Sequence, residues 1–136
     1  MAEAENRPLK NPVLSYSCRN GHQLEFSVKR ILEKIVWRIS PEIRVLGPYR
    51  GPYDLEILVN NQKVYVEVKS SLFKERLMDG VRRAFKRDHP EPFFVIGVLQ
   101  LDQKIYIFTK EEDGIKRMAF NDKTIRRLIA PYLKKK

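Results

Sequence analysis

Residues 52–69 read PYDLEILVNNQKVYVEVK. Two apolar runs rich in β-branched residues, Leu55–Val59 and Lys63–Val66, stand on either side of Asn60-Asn61. An Asn pair between two such runs is typical of a tight turn. The pattern therefore predicts a β-hairpin, with the second strand running on through Glu67-Val68-Lys69.

The length of the hairpin loop decides which residue faces Glu67. A two-residue loop at Asn60-Asn61 places Asp54 opposite Glu67, whereas a loop of residues 61–62, or one of four residues, places it opposite Lys69. Side chains alternate between the faces of a strand, so all three registers keep Asp54, Glu67 and Lys69 on one face. A three-residue loop would turn Asp54 to the other face and separate the group.

Two carboxylates and an ammonium on one face suit a metal-dependent hydrolysis. Mg²⁺ and Mn²⁺ prefer oxygen ligands, and the carboxylates of Asp54 and Glu67 with the backbone carbonyl of Val68 would supply them. Such an ion acidifies a bound water and neutralises charge on a phosphate. Lys69 would orient or deprotonate the attacking water and stabilise the developing negative charge. The alternative is an ordinary hairpin whose polar face carries a Glu–Lys pair.

The composition indicates a globular protein that binds polyanions. The chain has 136 residues, 43% of them hydrophobic, with 27 Lys and Arg against 17 Asp and Glu and a net charge of +10. An excess of positive charge favours nucleic acid; a merely well-solvated surface or an adaptation to heat would give the same balance. No membrane-length apolar run and no signal-peptide pattern is visible, so we expect a cytoplasmic protein that does not bind membranes.

Periodicity predicts one domain over residues 13–133, between a flexible arm at 1–12 and a basic tail at 134–136. Cys18 is the single cysteine; with His22 it supplies only two zinc ligands, so we expect both to be structural. The remaining elements are predicted as follows: a helix over Gln23–Ile39, a short strand at Glu42–Leu46, a helix over Leu72–Lys86 that buries Phe73, a central strand at Phe93–Leu101 pairing with Lys104–Phe108, and a last helix capped by Asn121 or Asp122 and followed by Pro131.

The first predicted helix carries a third candidate carboxylate. On a wheel at 100° per residue, Glu25 lies within about 20° of the apolar Leu32, whereas Glu33 faces solvent. A carboxylate at the packing border is costly unless it is paired or bound. A place in the first turn would also suit the helix dipole, and the sequence leaves both explanations open.

The order of these motifs resembles the restriction-endonuclease-like, or PD-(D/E)xK, nuclease superfamily, and within it the archaeal Holliday junction resolvases. The similar segments are Gly21-His-Gln-Leu-Glu25, Ile31-Leu-Glu-Lys34, Gly51-Pro-Tyr-Asp54 and Glu67-Val-Lys-Ser70. Tyr53 stands where many members have proline, and the basic segment after Lys69 is not a feature of the resemblance.

The resemblance implies an α/β fold, a restriction-endonuclease-like mixed β-sheet flanked by helices, assembled as a homodimer. It implies a metal-dependent DNA endonuclease, with Glu25, Asp54 and Glu67 as the acidic site for Mg²⁺ or Mn²⁺ and Lys69 as the catalytic lysine. The substrate would be branched or duplex DNA, cut by structure rather than by sequence. A non-catalytic nucleic-acid-binding module, or a nuclease subunit of a larger DNA-processing complex, remains the alternative.

Candidate contacts to nucleic acid surround this site in the sequence. Most are cations that would bind phosphates without reading bases, and a solvated helix face is the alternative for those in the second helix. They are Arg50, Tyr53, Ser70, Lys74, Arg82, Arg83, Lys86 and Arg87.

Overall fold

The computed structural model of the protein describes residues 21–51 and 53–133, with side chains from Gln23 onward. The predicted arm at 1–12, Cys18, the His22 side chain and the basic tail at 134–136 lie outside the described residues. In the described part of the chain, no helix is both long enough and apolar enough to cross a membrane.

In residues 21–51 and 53–133, three helices flank one six-stranded sheet. The sheet order follows the chain order, β1-β2-β3-β4-β5-β6. Every neighbouring pair is antiparallel except β3 and β4, which are parallel and are connected through the second helix. The predicted single α/β domain with a mixed sheet flanked by helices is confirmed. The elements are α1 (Gly21–Ile39), β1 (Arg44–Leu46), β2 (Leu55–Val59), β3 (Gln62–Ser71), α2 (Lys74–Lys86), β4 (Phe93–Leu99), β5 (Lys104–Glu111), β6 (Gly114–Ala119) and α3 (Asp122–Leu133).

The β2–β3 hairpin has the two-residue loop. Asn60 and Asn61 take positive φ angles of 50° and 70°, a conformation that Asn tolerates better than most residues and that matches the twist of the flanking strands. Val59 therefore pairs with Gln62, and Leu55 pairs with Val66. Asp54 directly precedes Leu55, so continuing this register by one residue sets it opposite Glu67.

The sheet separates two apolar clusters. The valines at 64, 66 and 68 of β3 pack with α1 and α3 on one face. On the other face α2 packs Leu77, Val81 and Ala84 against β4 and β5. All seven residues of β4 are buried, which confirms that this strand is central. Because Glu67 and Lys69 alternate with the valines, they lie on the α2 side of the sheet.

Two predicted helix boundaries are wrong. Helix α2 begins at Lys74, not at Leu72, and Phe73 is 55% exposed rather than buried. Pro131 lies inside the last turn of α3, so the helix continues through it with one backbone hydrogen bond fewer. The side-chain amide of Asn60 donates to the carbonyls of Tyr132 (2.8 Å) and Leu133 (3.2 Å), which supports this extra turn. At the other end, the Asn121 side chain accepts from Thr124 N–H at 2.9 Å and caps the helix as predicted.

Strand β6 is absent from the predicted elements. Its sequence, Gly-Ile-Lys-Arg-Met-Ala, has no residue that is fully buried. Such a strand lacks the alternation that identifies strands in a sequence, and the pairing of Tyr106 with Ala119 through Glu111 with Gly114 holds it at the edge of the sheet.

The packing of Gly97 in β4 generates a stability test. A Cβ at this position would lie 2.6 Å from Cε2 of Phe108, so Gly97→Ala forces the ring or the strand to move. We expect a loss of about 1–3 kcal/mol in the free energy of unfolding, measured by urea denaturation. In a Phe108→Leu background the same change should cost less, because the ring is gone. Equal losses in both backgrounds would contradict this packing.

Candidate active site

Asp54 is fixed at the open end of β2. Its amide donates to the carbonyl of Val66 at 2.8 Å, and its carboxylate accepts the N–H of Val68 at 2.7 Å. The N–H and C=O of an extended residue point to the same side of a strand. The Val68 carbonyl, a predicted metal ligand, is therefore directed toward the side where Asp54 lies.

Glu25 reaches Asp54 from the helix on the other face of the sheet. The two carboxyl groups are hydrogen-bonded to each other. Glu33, two turns further along α1, is exposed. The structure thus brings Glu25, and not Glu33, to the predicted site.

Glu67 is held between two cations. Its Oε2 lies 3.3 Å from Nζ of Lys69 and 3.1 Å from Nη2 of Arg87, the residue that follows α2. The side chain is only 6% exposed. Its other oxygen, Oε1, is buried and has no hydrogen-bond partner among the described residues. An orphaned carboxylate oxygen is expensive to bury, which points to a ligand that would satisfy it.

The three carboxyl groups bind protons more tightly than usual. Burial, together with the neighbouring Glu25, raises the pKa of Asp54 to about 7, against the lowering effects of the Val68 N–H and of Lys69. Burial also raises the pKa of Glu25 and of Glu67, with repulsion from Glu67 and from Asp54 respectively adding to the effect. Crowded carboxylates of this kind gain when a cation replaces their protons.

The donor set fits a hard divalent cation, although its members are not yet gathered. In residues 21–51 and 53–133, no three Asp, Glu, His or Cys side chains form a ready-made metal-binding group. Glu25 and Asp54 are paired with each other, while Glu67 pairs with Lys69 and Arg87. Carboxylate and carbonyl oxygens with one orphaned atom are nevertheless the chemistry that Mg²⁺ and Mn²⁺ take.

The loop before Asp54 is tied to the site. Lys29 of α1 donates to the carbonyl of Gly47 at 2.7 Å, and the Tyr49 amide donates to the carbonyl of Asp54 at 2.8 Å. Gly47 has φ of +113°, and a Cβ there would meet the Asp54 carbonyl oxygen at 2.6 Å. Only glycine fits this approach, so the loop holds the backbone of Asp54 in place.

Sequence reasoning missed Glu56, which lies on the same face as Asp54. Glu56 is buried and accepts the hydroxyl of Tyr53 at 2.8 Å and that of Tyr49 at 3.5 Å. The hydrogen bond to Glu56 raises the pKa of Tyr53 to about 12. Tyr53 also packs edge-on against Tyr49 and Tyr65. Hairpin alternation, already used for Asp54, was the signal that could have identified Glu56.

The predicted nucleic-acid contacts are dispersed around the site. Tyr53 is half-buried, and the other seven residues are exposed. Arg87 contacts Glu67, and Arg83 lies beside Gly80 on the side of α2 that borders Lys69. Arg82 instead pairs with Asp79 at 2.8 Å. Of the others, Arg50 lies in the loop before Asp54 and Ser70 lies on β3. Lys74 is the first residue of α2 and Lys86 is the last.

Comparison of the chain with models of known protein families found no match, and comparison with curated protein sequences found no significant match.

The raised pKa of Asp54 predicts a pH-dependent stability. A carboxyl whose pKa is higher in the folded state stabilises the fold at low pH, and this stabilisation is lost as pH rises through the folded value. For Asp54 the loss runs from about pH 4 to above pH 7. Asp54→Asn retains an oxygen for the Val68 N–H but cannot ionise. In metal-free buffer we expect its advantage in unfolding free energy over the wild type to be greater at pH 8 than at pH 5 by roughly 1–3 kcal/mol. Urea denaturation across this range measures it, and a pH-independent difference would contradict the raised pKa.

Proposed function

We propose that the protein is a metal-dependent DNA endonuclease with a restriction-endonuclease-like fold. The observation that carries the proposal is the convergence of Glu25, Asp54, Glu67 and Lys69 from α1, β2 and β3, around a buried Glu67 oxygen that has no partner among the described residues. A mixed sheet flanked by helices is the architecture that the family resemblance implies.

Asp54, Glu67 and the Val68 carbonyl would hold Mg²⁺ or Mn²⁺, with Glu25 as a further ligand. The bound ion supplies an acidified water and neutralises charge on the phosphate. Binding would displace the proton that burial helps Asp54 to retain up to its pKa of about 7.

The protein's own groups position the reacting atoms. The Val68 N–H and the loop before Asp54 keep the Asp54 carboxylate fixed. Lys69 is 30% exposed with Nζ beside Glu67, so the ammonium can contact a water or phosphate at the site mouth. There it would orient the attacking water and stabilise the developing charge on the phosphate.

The substrate we propose is branched or duplex DNA, cut according to its structure by a homodimer, in the manner of the Holliday junction resolvases that the sequence resembles. The net charge of +10 supports a polyanionic substrate. Strands separate the three helices in the described part of the chain, so no helix-turn-helix occurs there to read bases.

Cleavage assays on four-way junction, flap, duplex and single-stranded DNA test the proposal. We expect cleavage of at least one substrate with Mg²⁺ or Mn²⁺, and a loss of about 10²-fold or more in rate for Glu67→Ala and for Lys69→Ala. Glu33→Ala is the matched control, because it removes an exposed acid from the helix that carries Glu25. Metal-independent binding with no cleavage by the wild type would instead identify a nucleic-acid-binding module.

Metal binding can be measured without activity. A ligand that binds only the folded state stabilises it by about 2.7 kcal/mol at a hundredfold excess over its Kd, so we expect Mn²⁺ to raise the Tm of the wild type by about 9 °C. Asp54→Asn and Glu67→Gln should abolish most of this rise, and NaCl of equal ionic strength should not reproduce it. An equal rise in all three proteins would place the ion elsewhere.

A further inference from the structure

One side of α2 carries a line of arginines interrupted by a glycine. Arg76, Gly80, Arg83 and Arg87 are spaced by four, three and four residues, which places them within about 60° of one another on a helix. We call Arg76, Arg83 and Arg87 the arginine stripe. It lies beside the apolar side of α2 that packs on the sheet.

The arginine stripe borders the candidate active site at two points. Arg87 contacts Glu67 through Nη2 at 3.1 Å. Gly80 is buried, and a Cβ on it would lie 3.7 Å from Cδ of Lys69 and 4.0 Å from Nη2 of Arg83. The stem of Lys69 and the guanidinium of Arg83 therefore both lie near the same glycine.

The other side of α2 is electrostatically different. Arg82 forms an ion pair with Asp79 at 2.8 Å, and Glu75 and Lys86 project on that side as well. The arginine stripe contains no acid. Among the described residues, its only ion pair is the one between Arg87 and Glu67. The two sides of α2 thus carry cations of the same charge, but acidic residues of the helix lie only on the side of Arg82.

We infer that the arginine stripe is the surface along which the phosphodiester backbone of the DNA strand runs into the active site. The inference rests on the proposed function and names the path of its substrate. The buried acids Asp54 and Glu67 repel a polyanion, and cations beside them offset that repulsion. The stripe is about 16 Å long at 1.5 Å per residue, a length over which one strand of B-DNA presents about five phosphates.

Salt-dependent DNA binding in EDTA tests this inference without requiring catalysis. Each phosphate contact contributes about 0.9 to the slope of log K against log salt. We expect Arg83→Ala and Arg76→Ala each to reduce the slope by about 1, and to weaken binding roughly tenfold at low salt. Arg83→Lys should restore the slope, because the charge is retained.

Lys123→Ala and Arg127→Ala are the matched controls, since each removes one exposed positive charge from α3, which packs on the other face of the sheet. We expect both to keep the wild-type slope. Equal slope changes in the stripe variants and the controls would overturn the inference, as would a wild type that fails to bind DNA. Stronger effects of Arg83→Ala on RNA of the same sequence would overturn the assignment to DNA.

The assay separates this inference from the proposed function. Cleavage by the wild type with Mg²⁺ or Mn²⁺, together with equal slopes for all variants, would retain the nuclease and reject the stripe. The expected slope differences without cleavage would retain the stripe as a DNA-binding surface and reject the nuclease. Circular dichroism and Tm of each variant verify that the folds being compared are intact.

Discussion

The register of the β2–β3 hairpin is the constraint on which the site depends. The left-handed pair Asn60-Asn61 sets the pairing of Val59 with Gln62, and the Asn60 side chain also binds the last carbonyls of α3. A slip of one residue would turn Glu67 and Lys69 into the apolar cluster beneath α1 and move three valines to the α2 face. The hydrophobic effect therefore enforces the register that aligns Asp54 with Glu67.

The charged groups of the candidate site interact unfavourably with one another and with their buried surroundings. Asp54, Glu25 and Glu67 are crowded together, and burial raises the pKa of all three. Lys69 and Arg87 offset the charge of Glu67 only in part, since one of its oxygens is left without a partner among the described residues. Groups arranged against stability in this way are characteristic of functional sites. A divalent cation bound together with a phosphate would relieve both the crowding of the carboxyl groups and the lack of a partner for the Glu67 oxygen. We therefore favour hydrolysis over simple binding.

Much of the fold could be predicted because its patterns are local. Alternating valines identified β3, the 3.6-residue period identified α1, and an Asn cap identified the start of α3. The failures came where distant contacts outweighed local preference. The sheet edge at β5 holds β6 despite its polar sequence, and Asn60 supports a helical turn that contains Pro131. Phe73 is apolar yet exposed, because α2 begins at Lys74, the residue after it.

For the candidate site, the sequence by itself determined which side chains share a face. Strand alternation grouped Asp54, Glu67 and Lys69, and helical periodicity separated Glu25 from Glu33 and, read on α2, aligns Arg83 with Arg87. Only the tertiary structure decided that Glu25 bonds Asp54 across the end of the sheet and that Arg87 pairs with Glu67. Periodicity specifies directions around one element, whereas these contacts join separate elements whose spacing is set by how the whole core packs.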